Sequence, residues 1–503
     1  MAKTKPHPGK TPPAQRPDDV LDLDQAIAFL KTTRPTFYRW LRGGKFKGLK
    51  VGRQWRFRRE DIERFLQGQE PPVELPADIK PLLAELRERL AATGLDAAPR
   101  HADNPIAEAV DLMIRLGGRL RASDLHLEPQ VDATGQHRAI LRLRLDGVLQ
   151  LQAGFDVRLL GLLAAHWKRL GGCDVRETQR PQDGRLLGEI DGRHLDLRIC
   201  TVPAVMGEAV TARFLDSADV QLALDRMDFA PANRQRIDEA LREPAGVILL
   251  TGPTGSGKTS VLYACLMAVA KPGCKTITIE DPVEYFLPNM MQVQINSAAG
   301  MTFASTMRAC LRCDPDVVMI SEIRDCESLE VLFQMALTGH LTFSSLHTED
   351  AASTLGRIVD IGFPANVAAD AIRLIVSQRL VRVLCPDCRQ PVELDGTQRA
   401  LAENLCRQGG LVLEALNPQF HKAVGCAKCN RTGYRGRTLI AETMVMSGEL
   451  AAAWRRGAGT DELRTIAVRH GMTTIAADGF RRAAAGQTTI EEVCRVLNPS
   501  LLR

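Results

Sequence analysis

Apolar residues at Leu23, Ala26, Ile27 and Leu30 recur at helical spacing. The turn Thr32–Thr33–Arg34–Pro35–Thr36 separates them from a second amphipathic run, Phe37 to Leu41, which stops at Gly43–Gly44. Alternation then takes over. Leu49 and Val51, followed by Trp55 and Phe57, suit a small β-hairpin, and Arg59–Glu60–Asp61 opens a short helix ending near Leu66. The stretch Gln69 to Ala77 and a charged helix from Ile79 to Ala92 read as a linker over residues 68–103. Strict alternation from Ala139 to Leu145 before the Asp146–Gly147 turn, and again from Leu195 to Ile199, makes 104–225 an α+β domain. From about Arg226 to the end, strand, glycine loop and helix follow one another, which predicts a parallel sheet covered by helices over 226–503.

Charge sharpens this division. The chain of 503 residues has a formal charge of +5, yet Val20 to Leu66 alone holds twelve basic residues against five acids, together with eight of the aromatics. A small anion-seeking head is therefore attached to a slightly acidic body. Residues 1–19, with five prolines, read as a disordered tail. The most apolar stretch, Gly246 to Thr251, is far short of the ~20 residues that span a bilayer, and the first 19 residues hold no apolar signal core, so a cytoplasmic location is expected. Thirteen cysteines, an odd number, then point to reduced thiols and a metal site in preference to disulfides.

Chemistry concentrates in the last 280 residues. The buried strand Gly246–Val247–Ile248–Leu249–Leu250 runs into Gly252–Pro253–Thr254–Gly255–Ser256–Gly257–Lys258–Thr259, the spacing of a phosphate-binding loop opening a helix. Lys258 is expected on the β- and γ-phosphates of ATP and Thr259 on Mg2+. The strand Val317 to Ile320 ends in Ser321–Glu322–Ile323–Arg324–Asp325, which makes Glu322 the candidate for orienting the attacking water. Ser321 stands where an acid often precedes that Glu, so the further magnesium ligand is sought in Glu280 or Glu284 of Glu280–Asp281–Pro282–Val283–Glu284. His340 and His347 flank the apolar-rich stretch Leu341 to Leu346 and are candidates for a γ-phosphate sensor. Cys385–x–x–Cys388 and Cys426–x–x–Cys429 are two knuckles 37 residues apart, able to close a tetrahedral, structural Zn2+ site. Cys310 and Cys313 lack a second pair and read as structural thiols.

From about Asn104 onward the chain resembles the ATPases of type II secretion and type IV pilus assembly. The resemblance rests on Ser123–Asp124–Leu125–His126–Leu127–Glu128–Pro129, Arg180–Pro181–Gln182–Asp183–Gly184–Arg185, Leu222–Ala223–Leu224–Asp225, the glycine loop, the 280–284 acidic box, Asp314–Pro315–Asp316 with the Glu322 strand end, and Thr338–Gly339–His340 with Leu346–His347–Thr348. It implies an α/β fold with a RecA-like P-loop core, a preceding α+β, PAS-like domain and a zinc module at 384–436. It also implies a homo-hexamer acting on an inner-membrane platform protein, peripheral at that membrane, with Arg185 and Arg198 reaching a nucleotide at a domain or subunit boundary. Ser321 and Glu349 depart from the family's usual Gly and Asn. Residues 21–66 resemble winged helix-turn-helix domains of the excisionase and MerR type. Thr36, Tyr38, Arg39 and Arg42 would face a groove, and Arg53 and Arg56 would contact phosphates. Through residues 20–67 the partner is DNA or an acidic protein. Docking to a protein is the preferred reading, since a secretion motor has no evident need of DNA. The alternative is a DNA-associated motor for uptake or conjugation.

Overall fold

A computed structural model of the chain describes residues 20–42, 46, 48–51, 54–66, 75–215, 223–408 and 418–497. The chain divides into two compact units, Met1–Phe214 and Leu215–Arg503. The tail 1–19, Gly43–Gly44, Leu222 and Arg53 lie outside the described residues.

The head forms helices Leu23–Phe29 and Arg34–Arg42, a hairpin of strands Leu49–Val51 and Gln54–Arg58, and the helix Arg59–Leu66. Its core is aromatic: Phe37 lies 4.9 Å from Phe46 and 5.0 Å from Phe57, ring centre to centre, and all three are buried with Ala26 and Ile62. Large rings give a small domain enough apolar area to bury. Ahead of the first helix, residues Val20–Asp22 form a third strand on Gln54–Arg58. The Asp22 carboxylate stops helix propagation there by accepting from the Gln25 amide at 2.8 Å, a cap that requires extended backbone at Asp22.

The expected linker is corrected. Residues Lys80–Ala92 do form a helix, but Leu82, Leu83, Leu86 and Leu90 are buried in the same core as the helix Pro105–Arg119 and the sheet beyond it. Its charged face, where Arg87 meets Glu108 at 3.2 Å, is what resembled a solvated linker in sequence. Asn104 caps Pro105–Arg119 by accepting from the Ala107 amide at 3.1 Å. An antiparallel six-stranded sheet follows, in the order Val148–Asp156, His137–Leu145, Asp124–Val131, Gly207–Phe214, Arg193–Ala204, Gln182–Ile190. Its inward positions, Leu125, Leu127, Leu141, Leu143, Leu197 and Ile199, meet Trp167 of the helix Leu160–Leu170 in one core.

The second unit is a seven-stranded sheet in the order Met290–Gln294, Thr276–Glu280, Val317–Ile320, Leu341–Leu346, Gly246–Thr251, Ile372–Leu384, Tyr434–Val445. All neighbours are parallel except the last pair. Gly246–Thr251 is continuously apolar because it feeds two cores: Val247 and Leu249 pack on one face, Ile248 and Leu250 on the other.

Candidate functional site

The glycine loop leaves the carboxyl end of Gly246–Thr251 and enters the helix Lys258–Val269. Glycine is required at both ends of the loop. Gly252 has φ +144°, and a Cβ there would lie 2.6 Å from Gln378 O; Gly257 has φ +87° and begins the helix in left-handed backbone. The Lys258 ammonium donates to Gly252 O at 2.7 Å and Pro253 O at 3.1 Å, and lies 3.4 Å from His347 Nδ1. Burial, and then the nearby Arg379 guanidinium, bring its pKa down to about 8 against the opposing pull of Glu322.

Glu322 follows the buried strand Val317–Ile320, and its Oε2 lies 3.6 Å from His347 Nε2, while Arg324 contacts its other oxygen. Three candidates distant in sequence, Lys258, Glu322 and His347, are thus brought together at the carboxyl ends of three strands, where open α/β sheets bind ligands. His340 does not join them. It precedes Leu341–Leu346 at the opposite end of the strand, with Nδ1 2.8 Å from Met335 O, so the sensor reading narrows to His347.

The two candidate magnesium ligands also separate. Glu280 is 1% exposed, and its carboxylate accepts from Tyr263 Oη, from Thr278 Oγ1 at 2.5 Å and from Gln292 Nε2 at 3.1 Å. Glu280 thus turns much of its acceptor capacity into the fold, where burial and then Glu280 itself push the Tyr263 phenol far above its ordinary value. Glu284 is half-buried on the following loop, with its amide 3.3 Å from the same Tyr263 Oη.

Arg185 and Arg198 lie in the first unit as cross-strand neighbours, and Arg185 binds Asp196 at 3.0 and 2.7 Å. The register continues from Arg198 to Arg213, to Asp124 and to Arg144, with Arg213 Nε 2.9 Å from Asp124. Arg213 escaped notice in sequence because only strand pairing puts it on this line.

The four cysteines converge. Cys385, Cys388, Cys426 and Cys429 have their Sγ atoms within 4.8 Å of one another, with separations of 3.9 Å (Cys385–Cys426), 3.8 Å (Cys388–Cys429) and 3.7 Å (Cys426–Cys429). A tetrahedral zinc with Zn–S bonds of ~2.3 Å has an edge of about 3.8 Å, so this donor set fits Zn2+. The Cys426 and Gly433 amides point at Cys429 Sγ from 3.1 and 3.2 Å, as they would toward a thiolate. Cys310 is buried and Cys313 half-buried, outside that cluster. No helix among the described residues is long and apolar enough to cross a membrane.

Residues 20–70 match the helix-turn-helix domain family, and residues 100–495 match the type II/IV secretion system protein family. Type II secretion system protein E of Pseudomonas aeruginosa is 38% identical over 417 residues, 82% of this chain and 80% of that protein. The type IV pilus assembly ATPase PilB of Thermus thermophilus is 40% identical over 373 residues, 74% of this chain and 41% of that protein. The Legionella pneumophila ATPase DotB shares the fold at a TM-score of 0.56 with 18% identity, over 77% of this chain and 94% of DotB. The chain belongs to the type II/IV secretion system protein family, ATP-hydrolysing enzymes of the secretion/pilus ATPase kind, and carries a helix-turn-helix domain ahead of the family match.

Proposed function

We propose that the protein works as a homo-hexamer at the cytoplasmic face of the inner membrane, where ATP hydrolysis drives assembly of a type II pseudopilus or type IV pilus through a platform protein. The convergence of Lys258, Glu322 and His347 on the glycine loop carries this reading. Lys258 and the loop amides bind the β- and γ-phosphates, Glu322 orients the attacking water, and His347 reads the γ-phosphate. Thr259 and Glu284 would hold Mg2+, which neutralises charge on the β- and γ-oxygens. Arg185 and Arg198 add positive charge from the preceding domain, a contribution on the order of 10³–10⁵ in rate where such arginines act. Zn2+ on the four cysteines is structural and takes no part in hydrolysis. Turnover measured with and without a platform-protein cytoplasmic domain, alongside solution mass with a non-hydrolysable ATP analogue, tests the proposal. A monomer with no stimulated turnover refutes it.

A second reading concerns the head. From Arg34 to Arg58 there are nine basic residues and no acid. The head's acids lie elsewhere and are engaged: Asp24 with Arg34, Glu63 with Arg59, Glu60 and Asp61 with Arg64. Arg34, Arg39, Lys50 and Arg58 are exposed on the second helix and the hairpin. This distribution, together with the helix-turn-helix match, favours double-stranded DNA over an acidic protein. A single module should bind non-specific DNA at only about 10⁻⁴ to 10⁻⁶ M, and six on a ring gain by effective concentration. A gel shift in low and moderate salt checks it; no shift at micromolar hexamer returns the head to protein docking.

A further inference from the structure

Two adjacent side chains on the strand Ile372–Leu384 reach the loops that carry Lys258 and His347. Gln378 is fully buried, and its Nε2 donates to Ser256 O, inside the glycine loop, at 2.9 Å. Gln378 also presses on both ends of that loop: its main-chain O is 2.6 Å from a Cβ built on Gly252, and its Nε2 is 3.3 Å from one built on Gly257. Arg379 is 4% exposed, and its Nη2 donates to Glu349 O at 2.7 Å, two residues beyond His347. The strand that carries both pairs in parallel with the glycine-loop strand, Ser377 opposite Thr251, so their backbones cannot shift independently.

Among the described residues Gln378 Oε1 is buried without a hydrogen-bond partner, which is destabilising by about 1–3 kcal/mol, so half of the amide is unsatisfied while its other half holds Ser256 O. What the amide supplies is a donor aimed at the phosphate loop. Arg379 donates its guanidinium to two main-chain carbonyls, Gln378 O and Glu349 O, which fixes backbone, while the carboxylates of Glu442, Glu349 and Asp350 act on its charge.

We propose that Gln378 and Arg379 are positioning residues for hydrolysis: Gln378 holds the glycine loop in its anion-binding shape, Arg379 holds the loop that carries His347, and their strand sets the separation between Lys258 and His347. The inference rests on the phosphate-site roles proposed for Lys258 and His347. The two loops meet at the phosphates, and small errors in such geometry are expensive in rate. Because the residues grip different loops, their loss has different signatures. Gln378 acts on phosphates that ADP and ATP share, Arg379 on the group only ATP has.

The test uses the full chain. Affinities for a fluorescent ADP and a non-hydrolysable ATP analogue, with kcat and KM, are measured for Gln378→Met, Arg379→Lys and Lys258→Ala, and melting curves confirm folding. Gln378→Met should weaken both nucleotides alike, by about tenfold, the equivalent of losing one well-made hydrogen bond. Arg379→Lys should leave ADP binding unchanged, abolish the preference for the ATP analogue and lower kcat. Unchanged binding and turnover in both variants, or equal loss of ADP and ATP analogue in Arg379→Lys, overturns the proposal. Should Gln378→Met not fold, Gln378→Asn, which keeps the amide but withdraws it by one methylene, gives the same comparison. Lys258→Ala binding both nucleotides normally would instead refute the phosphate-site reading beneath it.

Discussion

His347 bridges two residues that are 64 positions apart in sequence: its Nε2 lies 3.6 Å from the Glu322 carboxylate, and its Nδ1 lies 3.4 Å from the Lys258 ammonium. The imidazole therefore stands between a group suited to binding phosphate and one suited to orienting water. Removing the carboxylate while keeping its shape separates those two functions. Glu322→Gln should lower kcat by about 10²–10⁴-fold, the usual worth of a positioned general base, and leave nucleotide affinity near wild type. Steady-state turnover and equilibrium binding on one preparation check this.

Nucleotide binding should depend on pH in a range where an ordinary lysine would be silent. The Lys258 pKa is lowered to about 8, chiefly by burial, and phosphate binds its protonated form. Affinity should then be flat below about pH 7 and fall as pH rises through 8, because protonation must precede binding; an unperturbed lysine near 10.4 would show no decline there. Titration of a fluorescent nucleotide across this range measures it. Lys258→Arg, charged throughout, should flatten the profile at whatever affinity it retains.

The cysteine cluster predicts one zinc per chain in purified protein. Cys426→Ser, or prolonged chelation, should lower the melting temperature and expose residues 385–433 to protease, with the glycine loop still able to bind nucleotide. Apparent zinc affinities of about 10–16 kcal/mol in small structural sites make the metal a large part of such a module's stability. Elemental analysis showing well under one zinc per chain refutes the assignment.

The helix Lys80–Ala92 provides a test of the corrected boundary. Leu86 is fully buried, so Leu86→Ala should destabilise the first unit by about 2–5 kcal/mol, whereas a residue in a solvated linker would be neutral. Denaturant unfolding of wild type and variant gives the difference.

Local signals were legible and long-range ones were not. The glycine loop could be read because its chemistry is contiguous: the backbone conformations, the lysine and the helix start lie within eight residues. Each cysteine knuckle is equally compact, and the continuous apolar runs marked strands buried on both faces. The helix at 80–92 misled because its charged side is as evident in sequence as its leucines, and nothing local says what those leucines meet. Ser377–Gln378–Arg379, polar residues inside the strand Ile372–Leu384, were a visible signal whose meaning depended on which loops lay across from them.

The sequence by itself determined that this chain carries a glycine loop running into Lys258 and Thr259, two cysteine knuckles able to hold zinc and a basic head, because each of those features resides in neighbouring residues whose backbone geometry is set locally. Tertiary structure set His347 beside Lys258 and Glu322 and His340 at the far end of its strand, withdrew Glu280 into a hydrogen-bonded interior, aligned Arg198 with Arg213, and set Gln378 against the glycine loop and Arg379 against the loop that follows His347. Those choices depend on which end of a strand a residue occupies and on the register of its neighbours, and register is fixed only when distant segments pair and bury their apolar faces together.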